Sequence, residues 1–415
     1  MSALKGVIFS LRDVLARSGP IQKNLFGETV RLLRFLKDRG ITPVFATNHN
    51  WYVRKSDGTR IRFQEVLEGE IGAVPFYIAE NGDMDWKPRA DAMRTILRAQ
   101  RWSKREVMYV GNTEDDMKTA VNGDVLFLNA LWHGEANPYG YRFRSPKDVA
   151  RFVDCICLGL DDWFWALKKS DLRVYALAPF TTLSPQHVKA HAYSASARET
   201  AKHGAGDATF WGRLLAARVY FSGLVDEIDY ITAYPGHSPS SKQTVVADAL
   251  SILAESLRKR YLPDLIIRHT KAQKSQTARS SGGSVGVENQ LGTICLNRSP
   301  RKGLKGSPYK ANPMKHGKTV LVVDDFCTQG NSFEAARAFI GATGAQVVCL
   351  SWLKTINTNY NAISGEVSAL SPYAPLIISK QVSVTPHSYG ASVVNPRAPL
   401  DLAKVYEHYF GWNWP

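Results

Sequence analysis

No stretch of this 415-residue chain approaches about 18 consecutive apolar residues, so a membrane-spanning helix is not expected. The opening residues, MSALKG, lack the basic region, apolar run and small-residue cleavage site of a secretory signal, and a cytoplasmic protein is expected. Cysteine is scarce: Cys155, Cys157, Cys295, Cys327 and Cys349 are odd in number and have no zinc-ligand spacing. That argues against a disulfide framework or a zinc module, and leaves buried reduced thiols as the expectation. Acids are scarce as well, 37 Asp and Glu against 52 Lys and Arg, for a net charge of +15. No internal repeat is present, which sets solenoid architectures aside.

The length admits two or three domains, since a single hydrophobic core stops growing at about 250 residues. With 44% hydrophobic and 21% charged residues, the composition is that of a globular protein. The positive excess is concentrated: from Arg258 to Lys318 there are fourteen basic residues against two acids, Asp264 and Glu288, a local net charge of +12. Such a segment points to a polyanionic partner, a phosphorylated metabolite or nucleic acid, with a solvated loop as the plain alternative.

Up to about residue 135, strand and helix patterns alternate. GVIFSL, ITPVFATN, VMYVGN and VLFLNA read as strands; TVRLLRFLKDRG, ADAMRTILRAQR and DDMKTAVNG read as helices. Short apolar runs separated by helices of about ten residues predict a parallel sheet covered on both faces, with its ligand site beyond the carboxyl ends of the strands. Residues 136–170 read as a connection and a bridging helix. From 171 to 415 a second series follows, including DEIDYITAYPG, QTVVADALSILAESLRKR, PDLIIRHT, KTVLVVDDFCTQGNSFEAARAFIGATGA and QVVCLSWLK, and it closes on a docked aromatic tail. The expected fold class is α/β, with two doubly wound parallel-sheet domains.

The first strand enters a turn at Ser10 and Arg12. A second strand ends at Thr47, Lys87 lies in DWKPRADA, and a third strand ends at Gly111 and Asn112, with Asp116 beyond it. Over about 130 residues this series resembles the haloacid dehalogenase-like (HAD-like) phosphatases. In that family the first turn carries Asp-x-Asp, the first acid attacking phosphorus and binding magnesium, the second acting as acid and base, and a late aspartate holds the metal. Those places are taken here by Ser10, Arg12 and Asn112. A serine is neutral at pH 7, an arginine cannot give up its proton, and an asparagine brings no charge to a hard cation. The resemblance therefore implies a phosphatase-dead domain in which Thr47 and Lys87 remain to hold a phosphate or nucleotide.

The second half keeps its acids. In VLVVDDFCTQGNS an apolar strand ends in Asp324 and Asp325, and a turn then opens the helix FEAARAFIGATGA. Paired carboxylates can accept hydrogen bonds from two vicinal hydroxyls, and a turn entering a helix presents N–H groups to an anion. The stretch resembles the phosphoribosyl diphosphate (PRPP) signature of type I phosphoribosyltransferases, and the likeness extends over about 200 residues. It implies that Asp324 and Asp325 bind ribose hydroxyls while Thr328, Gln329, Gly330, Asn331 and Ser332 cradle the 5′-phosphate; Gln329 stands where the family usually has Thr. Tyr234, Pro235, Gly236 and His237, with Lys242 nearby, resemble the diphosphate loop. IIRHTKAQKSQTARSSGG resembles the mobile lid of the competence-type members, with Arg268, Thr270, Lys271, Gln273 and Arg279. Lys271 and Arg279 thus join Asp324 and Asp325 as expected catalytic residues. Magnesium is implied as a companion of PRPP, held by the ligand's oxygens and water and not by a side-chain cage.

Three readings stand side by side. The first is transfer of a phosphoribosyl group to a base or base-like acceptor recognised by a hood within residues 178–221 or the tail. The second is a PRPP- or nucleotide-sensing effector in a stress or phage-defence system. The third is a regulator that binds DNA or RNA through the arm from Arg298 to Lys318 and uses the PRPP pocket as a switch. Assembly into a homo-oligomer or a complex is also expected.

Overall fold

The computed structural model describes residues 4–17, 22–55, 57–134, 137–159, 162–240, 244–273 and 286–415. The first of two six-stranded sheets takes β1 (Gly6–Ser10) and β2 (Thr42–Thr47), then, after a hairpin of β3 (Tyr52–Arg54) and β4 (Arg60–Arg62), β5 (Phe76–Ile78), β6 (Val107–Gly111), β7 (Leu126–Ala130) and β8 (Tyr141–Phe143). Its order is β5-β2-β1-β6-β7-β8, parallel throughout. Every residue of β1, β6 and β7 is buried, the reason these strands read as unbroken apolar runs. The chain moves from β1 outward to β2 and β5, then resumes at β6 on the other side of β1. The switch point of this sheet therefore lies at the carboxyl ends of β1 and β6.

The second sheet uses β9 (Trp165–Lys169), β10 (Leu172–Phe180), β11 (Tyr230–Ala233) and β12 (Arg260–Tyr261). An antiparallel pair, β13 (Ile266–Arg268) and β14 (Ile294–Leu296), stands apart before β15 (Thr319–Cys327) and β16 (Gln346–Thr355) complete the sheet; β17 (Tyr360–Ile363) and β18 (Val384–His387) pair separately. The order is β12-β11-β15-β16-β10-β9, with β9 antiparallel at the edge. From β11 the chain goes to β12 on one side and returns to β15 on the other, so a second switch point lies between β11 and β15. The segment expected to be a mere connection supplies an edge strand to each sheet, β8 and β9. Between them a short helix, Pro146–Arg151, runs into the π-helical turn Phe152–Cys157.

The two sheets share one core through the helix Ala208–Phe221, in which every residue from 210 to 221 is buried. A helix buried on all sides carries no polar stripe. Its Trp211, Leu214 and Tyr220 belong to the same apolar cluster as Phe9 and Val110 of the first sheet and Leu321, Val323 and Trp352 of the second. Polar anchors fix it. Arg213 donates to Tyr409 Oη at 2.8 Å and to the Arg142 carbonyl at 2.9 Å, with its guanidinium 4.0 Å from the Phe143 ring centre. Tyr220 donates to the Val107 carbonyl at 2.9 Å. The C-terminal segment docks here as a helix, Ala398–Gly411, and beyond it Trp412 donates to Asp154 at 2.8 Å.

All five cysteines are free, and no helix among the described residues is long and apolar enough to cross a membrane. The basic arm after β14 is folded along the edge of the second sheet: Asn297 N–H donates to the Leu265 carbonyl, Gly303 N–H to Tyr261 and Tyr309 N–H to Pro300. It thereby covers the exposed side of β12.

Buried Arg105 ties the first sheet to the short helix Leu224–Glu227 that follows the central helix. It forms a fork to Asp226, Nε to Oδ2 at 3.0 Å and Nη2 to Oδ1 at 2.6 Å, above the Tyr220 ring. The Arg105 hydrogen bonds hold the Asp226 carboxyl down at about 2, against an opposing effect of burial. Asp226→Ala is expected to cost about 2 kcal/mol at pH 7, allowing for the partial exposure of the carboxylate. A depressed carboxyl stabilises above its unfolded value of 3.8 and loses that contribution as pH falls toward about 2. Urea unfolding of both proteins at pH 7 and pH 3 checks this: the deficit should be roughly halved at the lower pH.

Candidate functional site

The switch point of the first sheet is filled by its own side chains. Ser10, ending β1, is 1% exposed. Lys87 Nζ donates to Ser10 Oγ at 3.1 Å, to the Ala46 carbonyl and Tyr109 Oη at 3.3 Å each, and to Asp116 Oδ1 at 2.6 Å. Asp116 lies buried in the first turn of the helix Glu114–Asn122, where its Oδ2 accepts from the amides of Asn112 at 3.2 Å and Thr113 at 3.1 Å. Burial opposes ionisation of this carboxyl, but Lys87 and Thr113 outweigh it and hold Asp116 below the usual carboxylate range. The Tyr109 hydroxyl is pushed far up by burial and by the neighbouring Asp116 charge.

Contrary to the expectation from sequence, Lys87 and Thr47 are not left open for a phosphate. Lys87 is committed to Asp116, and Thr47 is buried with its hydroxyl donated to the His49 carbonyl at 3.1 Å. Buried Asn112 donates its amide to the carbonyls of Ala130 and Gly134. Arg12 does not join the cluster: its side chain is 72% exposed beside Asp13. Ser10, Lys87, Asn112 and Asp116 therefore converge as a buried polar network at the carboxyl ends of β1 and β6.

At the second switch point, β15 continues through both acids to Cys327, paired with β16 as far as Lys354, so Asp324 and Asp325 lie inside the strand and not after it. Alternation sends them to different environments. Asp324 is buried, and its carboxyl is pushed well above the usual range by burial and by the adjacent Asp325 charge; Asp325 is half-buried. Asp324 Oδ1 accepts from the Asp325 amide at 2.9 Å, and Asp325 Oδ1 accepts from the Phe326 amide at 2.8 Å. Asp325 is thus the more exposed of the two acids.

The turn after β15 needs glycine. Gly330 has φ +86°, and a Cβ there would lie 2.2 Å from the Tyr360 ring. Tyr360 is held by Glu334, to which it donates at 2.5 Å, and Glu334 also binds Arg337 at 2.6 Å. The helix Asn331–Gly341 starts at this turn, so Thr328, Gln329, Gly330, Asn331 and Ser332 form its entrance. Thr328 Oγ1 meets Thr355 Oγ1 at 3.2 Å, and the Gln329 carbonyl accepts from the Asn361 amide at 2.9 Å.

The loop after β11 is brought alongside. Tyr234 N–H donates to the Val323 carbonyl at 2.8 Å, placing Tyr234, Pro235, Gly236 and His237 next to the acids. The segment after β13 folds over it, with Ala272 N–H donating to the His237 carbonyl at 2.8 Å, so that exposed Lys271 borders the loop. Arg279 and Lys242 lie outside the described residues.

Three features were missed from sequence. Lys354 on β16 is fully buried, donating to the carbonyls of Thr328 at 2.7 Å and Thr358 at 2.5 Å, and burial pushes its ammonium down. A lysine within the apolar run SWLKT was the available signal. Arg268, expected as a lid donor, is instead buried under the 234–237 loop. Half-buried Phe326, beside Asp325, meets Phe180 edge-on at 4.8 Å, with Lys202 over its ring at 4.9 Å.

Neither a family model nor a curated protein sequence matches the chain. Over 30% of its length it is similar in structure to a protein named for phosphoglycolate phosphatase from Lactobacillus delbrueckii subsp. bulgaricus, at 17% identity and TM-score 0.23, and it spans 52% of that chain. Over 35% it is similar to a HAD-superfamily hydrolase of subfamily IA from Geobacter sulfurreducens, at 16% identity and TM-score 0.24, covering 98% of that chain. Over 84% it is similar to the UMP synthase of Leishmania donovani, at 11% identity and TM-score 0.20, covering 85% of that chain. None of these likenesses assigns an activity to the chain.

The closed network gives a stability prediction. Lys87→Met leaves the Asp116 carboxylate without its counter-charge in the protein interior and is expected to cost about 3–5 kcal/mol, as is Asp116→Leu. The double variant Lys87→Met/Asp116→Leu should cost less than the sum of the two. Denaturant unfolding of the three proteins checks it, and strict additivity would refute the pairing.

Proposed function

We propose that the chain binds PRPP at the second switch point and transfers its phosphoribosyl group to a base or base-like acceptor, releasing diphosphate. The observation that carries this reading is the convergence, at one crevice, of the Asp325 carboxylate with the loops 234–237 and 328–332. In the step proposed, the bond from ribose C1 to the diphosphate oxygen breaks and the oxygen keeps the electron pair. A nitrogen lone pair of the acceptor forms the new bond at C1, and that nitrogen gives up a proton. Asp325 accepts hydrogen bonds from ribose hydroxyls, while the loop amides and Lys271 face the growing charge of the leaving group. Asp324, held toward its neutral form, supports the strand end and the Asp325 amide.

Among the described residues no three His, Cys, Asp or Glu side chains gather as a metal cage. A magnesium ion carried on the oxygens of PRPP would meet Asp325 through its water shell. Such an ion would supply neutralisation of the leaving diphosphate. The first half takes the part of a scaffold without phosphatase activity, since Ser10, Arg12 and Asn112 stand where that chemistry would need carboxylates.

Calorimetry with magnesium and PRPP tests the reading. Wild type should bind, and Asp325→Asn should bind about tenfold or more weakly, on the scale of one charged hydrogen bond. Absence of binding to wild type removes the reading. Diphosphate release across a panel of bases then separates transfer from sensing, which would show binding without release.

A nucleic-acid-associated version is favoured by one further observation. Of the seven basic residues from 298 to 318, Arg301 pairs with Asp264 and Lys318 with Asp229, but Arg298, Lys302, Lys305, Lys310 and Lys315 form no ion pair among the described residues. Five phosphate contacts predict a slope of log affinity against log salt of about −3.5 for a single strand. Fluorescence anisotropy with a labelled oligonucleotide measures it, and Lys302→Gln/Lys305→Gln/Lys310→Gln should flatten the slope by about 2. An unchanged slope would dismiss the arm as a nucleic-acid surface.

A further inference from the structure

Two buried cations lie beneath the two loops of the crevice, and among the described residues neither is paired with a carboxylate. Arg268 is 5% exposed and Lys354 is 0% exposed. Arg268 Nε donates to the Gly236 carbonyl at 2.8 Å and Nη2 to the Pro235 carbonyl at 3.4 Å. Its remaining contacts are Gln290 Oε1 at 2.9 Å, Thr293 Oγ1 at 2.5 Å and the Tyr234 ring, whose centre is 5.4 Å away. Lys354 Nζ donates to the carbonyls of Thr328 at 2.7 Å, Thr355 at 3.4 Å and Thr358 at 2.5 Å, with the rings of Trp165 and Tyr389 at 5.3 and 5.5 Å. All of these partners are neutral, and among the described residues neither cation forms an ion pair.

That is an unusual place to leave positive charge. A charge removed from water is costly unless an opposite charge meets it, and the first half of this same chain obeys the rule, with Lys87 2.6 Å from Asp116. The carbonyl contacts have a second consequence. In a planar trans peptide the C=O and the following N–H point in opposite directions. Carbonyls of Pro235 and Gly236 drawn toward Arg268 direct the amides of Gly236 and His237 away from it. The Thr328 carbonyl drawn toward Lys354, together with the Gln329 carbonyl bound to Asn361 N–H, turns the amides of Gln329 and Gly330 the same way. Successive amides on one side of a loop form an anion-binding concavity, and the charge behind it deepens the attraction.

We infer that Arg268 and Lys354 are positioning residues, each holding one loop by its carbonyls so that the amides face the crevice, and each taking a bound anion as its missing counter-charge. Arg268 serves the diphosphate at 235–237 and Lys354 serves the ribose 5′-phosphate at 328–330. The assignment rests on the PRPP reading above and adds to it the two buried cations that position its loops.

The test is a crossover measured by calorimetry on the full chain, with ribose 5-phosphate and magnesium diphosphate as separate probes. Lys354→Met should weaken ribose 5-phosphate about tenfold or more, equivalent to about 1.4 kcal/mol, while magnesium diphosphate stays within about twofold. Arg268→Met should give the reverse. Thermal melting by circular dichroism reports whether each variant is folded. Where a methionine variant is not, Lys354→Arg and Arg268→Lys keep the charge, disturb the carbonyl geometry and should show the same crossover. Equal losses for both probes in each variant would reduce these residues to general structural roles and overturn the inference with the PRPP reading intact. Wild type binding neither probe would overturn both.

Discussion

The helix Ala208–Phe221 is the element on which the rest of the chain depends. Buried from residue 210 to 221, it presents one side of its surface to the first sheet and another to the second, and the apolar cluster runs through it without a break. A fully buried helix cannot leave its polar side chains in water, so Arg213 is met by Tyr409, the Arg142 carbonyl and the Phe143 ring. These partners come from the C-terminal helix and from β8, the last strand of the first sheet. Two sheets that each carry their own switch point are thereby locked into one body.

Within that body, charge is treated in opposite ways at the two switch points. In the first, the fold joins Lys87, Asp116, Tyr109 and Ser10 to one another, with the lysine paired to a carboxylate. In the second, cations and carboxylates are kept apart: Arg268 and Lys354 are surrounded by carbonyls and rings, and Asp324 and Asp325 sit side by side. Two adjacent carboxylates in a low-dielectric setting cannot both ionise freely. Burial and the neighbouring Asp325 push the Asp324 carboxyl well up, and Asp325 is the more exposed of the two.

Much of this was legible in the sequence, and the portions that were not share a physical cause. Strands such as GVIFS and VMYVG announced themselves because parallel strands buried on both faces are apolar at every position. The acids at Asp324 and Asp325 were visible by residue type alone. The helix Ala208–Phe221 was not, because ATFWGRLLAARVYF has no polar stripe and a helix read by periodicity needs one. Lys87 was read as a free phosphate donor because sequence spacing gives no measure of its 2.6 Å approach to Asp116. β8 and β9, at three and five residues, were too short to separate from a connection.

The unread lysine at 354 and the misread arginine at 268 show where residue type alone falls short. A cation in sequence is taken as a group that reaches a ligand, yet a buried cation acts on a ligand through what it does to the backbone around it. By drawing carbonyls inward it fixes the direction of the next amide, and by staying unpaired it leaves the loop with a charge to be met. The same two residue types, placed in the first sheet beside Asp116, would have produced another closed network. The difference between the two switch points is therefore one kind of partner: a carboxylate beside Lys87, and only neutral oxygens and rings among the described partners of Lys354 and Arg268.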